Sequence, residues 1–314
     1  MVGVVGLGYV GLTTAFSLAY LGYRVVGMDV DGSKVRLLRD GKLPFFEPYM
    51  DEMFSLVEER VSFATRYEEA IPEADVVFIT VGTPQGTGGA PMLDQVKGAA
   101  EGIGRNLKQD FVVVVNKSTV PVGSGNYVEA LVRRAYAEVH GGNPDGRFVV
   151  ASNPEFLREG QALRDSLYPD RIVVGADDVR AIEILRVLYQ PILEQDFIPP
   201  PFLPRPEKMG GVPFVTADLA SAEMIKYAAN AFLALKISFI NELAGLAEKV
   251  GADIRIIARG IGLDARIGPR FLQAGLGWGG SCFPKDTAAL LAMGKEYGVN
   301  LEIISAAREV NFRQ

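Results

Sequence analysis

Short apolar segments alternate with longer segments of helical character through the first half of the 314-residue chain. A short apolar run that ends at a glycine, a proline or a polar turn is typical of a strand buried in a parallel sheet. Segments of this kind are residues 2–5, 24–28, 74–80, 111–115, 148–151 and 171–174. The alternation predicts an α/β fold whose N-terminal domain is a Rossmann-type parallel sheet.

The second half has a different pattern, which predicts a mainly helical domain. Residues 191–213 contain seven of the 18 prolines, which favours an extended surface connection over a packed element. Residues 217–250 contain no proline and one glycine, and predict a single helix about 50 Å long. We therefore expect a Rossmann domain at 1–195, a proline-rich connection at 196–216 and a helical central domain, built on this helix, at 217–314.

The first predicted strand leads directly into a glycine pattern, Gly6-x-Gly8-x-x-Gly11, at the start of a predicted helix. In this context Gly6 makes the tight turn, Gly8 admits a pyrophosphate and Gly11 lets the helix pack on the strand. Asp29 ends the second strand, where a carboxylate accepts hydrogen bonds from a ribose and repels a 2′-phosphate. The pattern predicts a dinucleotide site that prefers NAD to NADP. A coincidental glycine turn in an unrelated α/β protein is the alternative.

Three loops follow predicted strands at the sheet edge where ligands bind in such folds. They are residues 81–84, 117–123 and 153–160. Thr83 and Thr119 lie in the first two loops, where ordinary turn chemistry is the alternative to a ligand contact. Glu155 and Glu159 lie in the third and are spaced to share a helix face, so a functional pair and a solvated acidic patch both remain open.

The only cysteine of the chain, Cys282, follows a loop with four glycines in the six residues 275–280. Glycines let a backbone approach a ligand closely. The segment 287–297 predicts a helix that ends before Gly298, and a helix N-terminus stabilises a thiolate nucleophile. Asp286 lies four residues after Cys282 and would face the same site if the turn is helical. A buried structural cysteine is the alternative, although a packed core has no use for so many glycines.

Lys226 and Asn230 lie one turn apart on the same face of the predicted long helix. The pair is either a cation and an amide donor directed at a site, or a lysine that extends to water or pairs with Glu223. The first interpretation is favoured because both residues lie in an apolar stretch. Apolar residues also occur around most of the helix circumference, which predicts a homodimer in which a partner subunit covers part of the helix.

Composition narrows the functional classes. Hydrophobic residues make up 48% of the chain and the net charge is −6, which argues against a broad nucleic-acid surface. A single cysteine fits a reducing, cytoplasmic compartment. A single histidine, His140, argues against a histidine-bound metal site and against a Ser-His-Asp hydrolase. With no signal-peptide pattern and no apolar segment of bilayer length, we expect no membrane partner.

Taken together, these segments resemble the UDP-glucose/GDP-mannose dehydrogenase family, and its UDP-glucose 6-dehydrogenase branch in particular. The matching segments, in family order, are residues 6–12, 81–84, 118–123, 153–160, 222–244 and 264–286. The resemblance implies an NAD-dependent double oxidation of a primary alcohol on a nucleotide sugar, with UDP-glucose favoured. The alternatives are a sister enzyme acting on GDP-mannose or a UDP-N-acetylhexosamine, and a non-catalytic NAD-binding fragment that dimerises.

The resemblance also implies catalytic roles. Cys282 corresponds to the thiol nucleophile, which would form a thiohemiacetal and then a thioester. Lys226 and Asn230 correspond to the pair that stabilises the negatively charged oxygen. The residues that would handle the catalytic water or supply the acidic motif are Asp286, Thr119, Glu155 and Glu159. Among these, Glu159 corresponds to the candidate base for thioester hydrolysis.

Binding roles are implied in the same way. The residues implied to contact NAD are Gly6, Gly8, Tyr9, Val10, Gly11, Asp29, Lys34, Thr83, Thr119, Glu159 and Lys285. The residues implied to hold the nucleotide sugar are Glu155, Phe156, Leu157, Lys226, Asn230, Phe271, Gly275 and Gly279. Arg266 corresponds to an arginine that reaches the substrate of a neighbouring subunit.

Family members usually continue into a further nucleotide-sugar-binding domain, whereas this chain ends where the central domain would close. The NAD site is built from the first half of the chain, so we expect normal NAD binding. We expect weak substrate binding and little turnover, because an open site admits water.

Overall fold

The computed structural model describes residues 1–107 and 111–314. The described chain forms two compact units. The first unit comprises residues 1–83 and 93–223, and the second comprises residues 84–92 and 224–314. The domain bounds expected from the sequence stay a prediction.

The described residues contain eight strands and twelve α-helices. The strands are β1 (Val2–Val5), β2 (Val25–Met28), β3 (Val61–Ala64), β4 (Val76–Ile79), β5 (Val112–Asn116), β6 (Phe148–Ser152), β7 (Ile172–Ala176) and β8 (Phe214–Ala217). The helices are α1 (Tyr9–Tyr20), α2 (Gly32–Arg39), α3 (Met50–Val57), α4 (Tyr67–Ala70), α5 (Asp94–Asn106), α6 (Ser124–His140), α7 (Ala162–Leu167), α8 (Val179–Glu194), α9 (Leu219–Val250), α10 (Ile254–Gly262), α11 (Phe283–Glu296) and α12 (Glu302–Arg313).

All eight strands belong to one sheet in the first unit, in the order β3-β2-β1-β4-β5-β6-β7-β8. Strands β1 to β6 are parallel, which confirms the Rossmann-type sheet. Side chains of β5 are buried along its whole length, and they divide between two apolar clusters, one on each face. Such continuous valine runs are typical of parallel strands covered on both faces. After β3 the chain crosses to the other side of β1 to form β4, and ligands bind at this change of direction in doubly wound sheets.

The prediction of a parallel strand at 171–174 was wrong in direction, because β7 pairs antiparallel with β6. The segment between these two strands carries only the six-residue helix α7. Such a helix spans about 9 Å, shorter than a five-residue strand of about 16 Å, so it does not return the chain to the opposite edge of the sheet. Strand β7 therefore starts at the edge where β6 ends.

The proline-rich segment is more ordered than the sequence predicted. Its last residues enter β8, which pairs in parallel with β7. Leu203 and Val212 are buried in the apolar cluster of the first unit. Pro191 itself lies inside α8, and the later prolines leave room for an edge strand and for apolar side chains that pack against a core.

Helix α9 runs unbroken for 32 residues, close to the predicted 217–250, and from Met224 onward it belongs to the second unit. Its Tyr227 and Ala231 pack against Ala289 and Leu290 of α11 in a small apolar core. A 3-10 turn at Thr87–Gly89 also contacts α11. In the part of the chain that the structure describes, no helix is both long enough and apolar enough to cross a membrane.

Glu223, near the start of α9, accepts hydrogen bonds at the N-terminus of α6. Its Oε2 accepts from the Gly123 N–H at 2.7 Å and its Oε1 from the Gly125 N–H at 2.8 Å. The side chain is only 2% exposed. Burial raises the pKa of Glu223 from 4.5 to about 7, against the opposing effect of the backbone donors. A buried carboxyl group therefore joins the start of α9 to the N-terminus of α6.

The raised pKa of Glu223 gives the folding equilibrium a defined pH dependence. The contribution of this group to stability is complete below about pH 4.5 and is lost as the pH rises through about 7. In Glu223→Gln, which cannot titrate, we expect the free energy of unfolding in urea to fall less between about pH 5 and pH 8, by roughly 1–3 kcal/mol. Glu58→Gln, at an exposed carboxylate, is the matched control. Parallel pH curves for wild type and Glu223→Gln would contradict the assignment.

Candidate active site

The glycine pattern forms a tight turn between β1 and α1. Gly6 has a φ of +98°, in the left-handed region that favours glycine. A Cβ on Gly11 would lie 1.8 Å from the Gly6 carbonyl oxygen, so α1 packs on the turn only because Gly11 has no side chain. A Cβ on Gly8 would meet nothing within 4 Å, which leaves that backbone open to a ligand. Helix α1 starts at Tyr9 and Val10 and points its first N–H groups at the turn, as a pyrophosphate site requires.

Asp29 follows β2 and lies next to this turn. Its Oδ2 accepts from the Leu7 N–H at 2.8 Å and from Lys34 Nζ at 2.5 Å, and its Oδ1 accepts from the Asp31 N–H at 2.9 Å. The side chain is 7% exposed. The structure therefore brings Asp29 and Lys34 together at the edge of the glycine turn. An open glycine backbone at a helix N-terminus, with a carboxylate at the end of the second strand, fits a dinucleotide.

The loops after β4 and β5 also meet at the carboxyl edge of the sheet. Thr83 is buried, and its hydroxyl donates to the Thr119 carbonyl oxygen at 2.8 Å. Ser118 donates to the Val81 carbonyl oxygen at 2.7 Å and joins the same two loops. Both predicted threonines thus lie in the same place, where the Thr83 hydroxyl joins the two loops.

Glu155 and Glu159 do not share a helix face, so that prediction was wrong. Residues 153–158 are irregular, and α7 starts only at Ala162. The buried Glu155 carboxylate accepts from the Leu157 N–H at 2.5 Å, a local bond that competes with helix formation. Glu159 is exposed. The two carboxylates therefore differ in environment, and only Glu159 meets solvent directly.

Phe156 and Leu157, between the two glutamates, are partly buried. The guanidinium of Arg171 stacks over the Phe156 ring, 3.6 Å from its centroid. This contact fixes the aromatic side chain to the start of β7. The segment implied to hold a nucleotide sugar is thus anchored by its apolar residues as well as by its carboxylates.

Sequence reasoning missed Glu47, which supports the Glu155–Glu159 loop. Its Oε2 accepts from the Gly160 N–H at 2.9 Å and its Oε1 from the Ala162 N–H at 2.8 Å, and the residue is 4% exposed. Burial and the charge of Glu47 raise the pKa of Tyr9 above its ordinary value. The protonated Tyr9 hydroxyl donates to the Arg158 carbonyl oxygen at 2.7 Å. The glycine turn and the acidic loop are therefore tied together.

Cys282 occupies the N-cap position of α11 and is partly exposed. Helix α11 begins at Phe283, four residues earlier than predicted, and the Asp286 N–H donates to the Cys282 carbonyl oxygen at 2.8 Å. This bond makes the turn from Cys282 to Asp286 helical, which is the condition under which Asp286 faces the same site as the thiol. The Cys282 Sγ lies 3.6 Å from the Ser281 Oγ. A thiol at this position is exposed to the positive end of the helix dipole.

Asp286 connects this helix to the predicted pair on α9. It is 1% exposed, and its Oδ2 accepts from Asn230 Nδ2 at 2.6 Å. Its Oδ1 accepts from Lys285 Nζ at 2.6 Å, so Lys285 lies in this cluster of the second unit. Lys226, one turn before Asn230, is 3% exposed. The burial of Lys226 argues against the alternative that its side chain extends to water.

The residues implied to bind the nucleotide sugar occupy different positions in the second unit. Phe271 has a φ of +65° and packs edge-on against Phe283. A Cβ on Gly275 or on Gly279 would meet nothing within 4 Å, so the loop is open at both positions. The Arg266 side chain is 89% exposed and pairs with Asp264. It points to solvent rather than to the cysteine loop.

Comparison with known proteins agrees with this arrangement. Residues 1–193 match the NAD binding domain of the UDP-glucose/GDP-mannose dehydrogenase family, and residues 220–313 match its central domain. The UDP-glucose 6-dehydrogenase TuaD of Bacillus subtilis is 43% identical over 100% of this chain and 63% of its own length. The UDP-glucose 6-dehydrogenase of Rhizobium meliloti is 44% identical over 98% of this chain and 66% of its own length. The chain thus spans just under two thirds of the length of these relatives.

Solved structures give the same result. A UDP-glucose dehydrogenase from Pyrobaculum islandicum superposes with a TM-score of 0.88 at 44% identity, covering 99% of this chain and 68% of that one. A GDP-mannose dehydrogenase from Pseudomonas aeruginosa gives 0.75 at 30% identity, covering 100% and 68%. These matches extend over both units, and so include the residues around the glycine turn and those around Cys282. The chain belongs to the UDP-glucose/GDP-mannose dehydrogenase family.

Proposed function

We propose that the chain carries out the NAD-dependent four-electron oxidation of UDP-glucose to UDP-glucuronate. The observation that carries this proposal is the buried Asp286, which joins the helix of Cys282 to Asn230. A dehydrogenase that stops at a ketone needs no nucleophile. Cys282 lies at the N-terminus of the helix that Asp286 joins to Asn230, and Lys226 lies one turn before Asn230. A thiol, an amide and a lysine are the groups that an enzyme with an acyl intermediate uses.

The glycine turn and Asp29 supply the NAD site in this proposal. The α1 N-terminus would hold the pyrophosphate, and Asp29 with Lys34 would hold the adenosine ribose. When bound, the nicotinamide ring accepts the hydride of each oxidation. Thr83 and Thr119, at the neighbouring strand ends, lie on the edge of the sheet where the rest of such a cofactor binds.

In this proposal, the Cys282 thiol binds the substrate carbon that is oxidised. Loss of a hydride and a proton from the primary alcohol gives an aldehyde, and the thiolate adds to its carbonyl carbon to form a thiohemiacetal. The thiohemiacetal, as its oxyanion, then loses a hydride to a second molecule of NAD and becomes a thioester. Lys226 and Asn230 stabilise the negative oxygen at each tetrahedral stage. Asn230 Nδ2 carries two hydrogens: one is bonded to Asp286, and the other is the one proposed to meet the oxygen.

Hydrolysis of the thioester releases the carboxylate and restores the thiol. Water adds to the acyl carbon, and the carbon–sulfur bond breaks. The exposed carboxylate of Glu159 suits a base that exchanges protons with solvent, whereas the buried Glu155 suits a positioning or substrate-binding role. Thr119 and Asp286 are proposed to orient the water.

UDP-glucose is favoured over the substrates of sister enzymes by the level of identity. Relatives with 41–44% identity are UDP-glucose 6-dehydrogenases, whereas the GDP-mannose dehydrogenase is 30% identical. A panel of UDP-glucose, GDP-mannose and a UDP-N-acetylhexosamine, scored by NADH formed per sugar, tests this choice. A lone cysteine that must stay reduced is consistent with the cytoplasm as the compartment.

The exposed side of α9 supports a homodimer. Phe232, Phe239 and Leu246 are 61%, 47% and 59% exposed, and they are spaced seven residues apart along one face. An exposed apolar stripe on a long helix is the pattern of a helix that packs against a second copy. In the dimer, the exposed Arg266 would reach the substrate of the neighbouring subunit.

Asp29 should make NAD the preferred cofactor. We expect NAD to bind at least about tenfold more tightly than NADP, because a phosphate beside this carboxylate adds like-charge repulsion. Asp29→Asn should narrow the difference, as measured by titration calorimetry. Asp31→Asn is the matched control, since that carboxylate instead accepts from the backbone of α2. Equal affinities in the wild type would remove Asp29 from the ribose site.

Cys282→Ser should leave the affinity for NAD unchanged and abolish completion of the second oxidation. We expect two NADH per sugar from the wild type and a loss of carboxylate formation in the variant of about a thousandfold or more. NADH absorbance and mass spectrometry of the sugar product give both quantities. Ser281→Ala, next to the thiol, is the control. A wild type that stops at one NADH per sugar contradicts the mechanism.

A charge on the exposed stripe of α9 should separate the proposed dimer. Phe239→Glu is expected to sediment as a monomer or to aggregate at a concentration where the wild type is dimeric, because a carboxylate in an apolar interface is desolvated without a partner. Ile198→Glu, at an 84% exposed apolar residue in the first unit, should stay dimeric. Sedimentation of the wild type as a stable monomer at micromolar concentration would overturn the proposal.

A further inference from the structure

The cysteine loop has little regular structure of its own. Residues 272–279 contain no helix or strand, and α11 begins only at Phe283. Buried backbone N–H and C=O groups need hydrogen-bond partners, and a loop of this kind must find them outside itself. The partners of this loop determine how precisely the thiol that follows it is placed.

Amide side chains of two helices bond to the backbone of the loop. Asn241 Oδ1 of α9 accepts from the Gly275 N–H at 2.8 Å, and Gln314 Nε2 donates to the Gly275 carbonyl oxygen at 2.8 Å. Asn311 of α12 bonds to Trp278 on both sides. Its Oδ1 accepts from the Trp278 N–H at 2.6 Å, and its Nδ2 donates to the Trp278 carbonyl oxygen at 2.9 Å.

The double contact of Asn311 gives a second reason, besides the backbone conformation, for a glycine at position 277. Gly277 has a φ of +92°, and a Cβ on it would lie 2.5 Å from Asn311 Oδ1. Only a residue without a side chain lets the amide approach the Trp278 backbone. An aspartate in place of Asn311 could accept from the N–H but could not donate to the carbonyl oxygen.

The Trp278 side chain is fixed as firmly as its backbone. Its Nε1 donates to Ser238 Oγ at 2.9 Å, and that hydroxyl, which is buried, donates to the Ala307 carbonyl oxygen at 2.7 Å. The indole packs edge-on against Phe283, with centroids 6.2 Å apart. Phe283 is the neighbour of Cys282. Trp278 therefore contacts both α12 and the N-terminus of α11 and links the two helices.

We infer that Asn311 is a positioning residue for Cys282: its amide holds the Trp278 peptide and thereby the turn that presents the thiol. The inference rests on the proposed function in taking Cys282 as the nucleophile. Its geometric part does not depend on turnover. Asn311 acts through the loop, so its loss should change the mobility of the loop and the rate of the chemical step, but not the cofactor site.

The chain contains two unique reporters of this loop, since it has one tryptophan and one cysteine. In Asn311→Ala and Asn311→Asp we expect acrylamide quenching of Trp278 and alkylation of Cys282 by N-ethylmaleimide to accelerate by roughly fivefold, because lost hydrogen bonds increase local opening. Where the wild type turns over, kcat should fall by a similar or larger factor, while the KM for NAD stays unchanged. Asn300→Ala, at an exposed amide just before α12, is the matched control.

Several outcomes decide the matter. Quenching and alkylation rates equal to those of the wild type in both Asn311 variants would overturn the inference. So would a parallel loss of helicity and of NAD affinity, since that would make Asn311 a general stabiliser of the fold. If Asn311→Ala fails to fold, the isosteric Asn311→Asp decides by the same measurements. If no nucleotide sugar is oxidised by the wild type, the proposed function fails, and the quenching and alkylation rates still test the position of the loop.

Discussion

One buried carboxylate, Asp286, sets the geometry of the second unit. Burying a charged group is unfavourable unless donors surround it, and the donors here come from Asn230 of α9 and from the adjacent Lys285. Helices α9 and α11 must therefore meet at this point. The backbone N–H of the same residue closes the first turn of α11 on Cys282. The amide and the thiol of the proposed reaction are thus placed by a single side chain and its own peptide.

Buried carboxyl side chains also join distant segments at two places in the first unit. Glu47 accepts two N–H groups at the start of α7, and Glu223 accepts two at the start of α6. Each carboxylate comes from a distant part of the chain and bonds to a helix N-terminus, where backbone donors are otherwise unsatisfied. Each fixes the end of a loop that carries proposed site residues: Glu159 in one case, Thr119 in the other. Two of the loops at the carboxyl edge of the sheet are therefore each held at one end by a buried carboxyl side chain.

The sequence predicted the features that depend on local patterns. The glycine turn, the parallel strands β1, β2, β4, β5 and β6 and the long helix α9 follow from residue type and spacing, whereas β3 and the first turn of α11 were not predicted. It did not predict what depends on distant contacts. The direction of β7, the strand β8 and the separate environments of Glu155 and Glu159 are set by how chain segments pack after they have formed. Glu47, Glu223 and Asn311 have no local signal, because a single carboxylate or amide in a helical or loop segment is ordinary on its own.

The proposed mechanism requires covalent attachment of the sugar carbon to Cys282 during oxidation. It is tested most directly in Glu159→Gln, where hydrolysis of the thioester should be slow. The variant is mixed with NAD and UDP-glucose, quenched in acid and digested for mass spectrometry. We expect the peptide containing Cys282 to gain the mass of the nucleotide sugar as a thioester. Formation of NADH with Cys282 unmodified throughout the time course would contradict it.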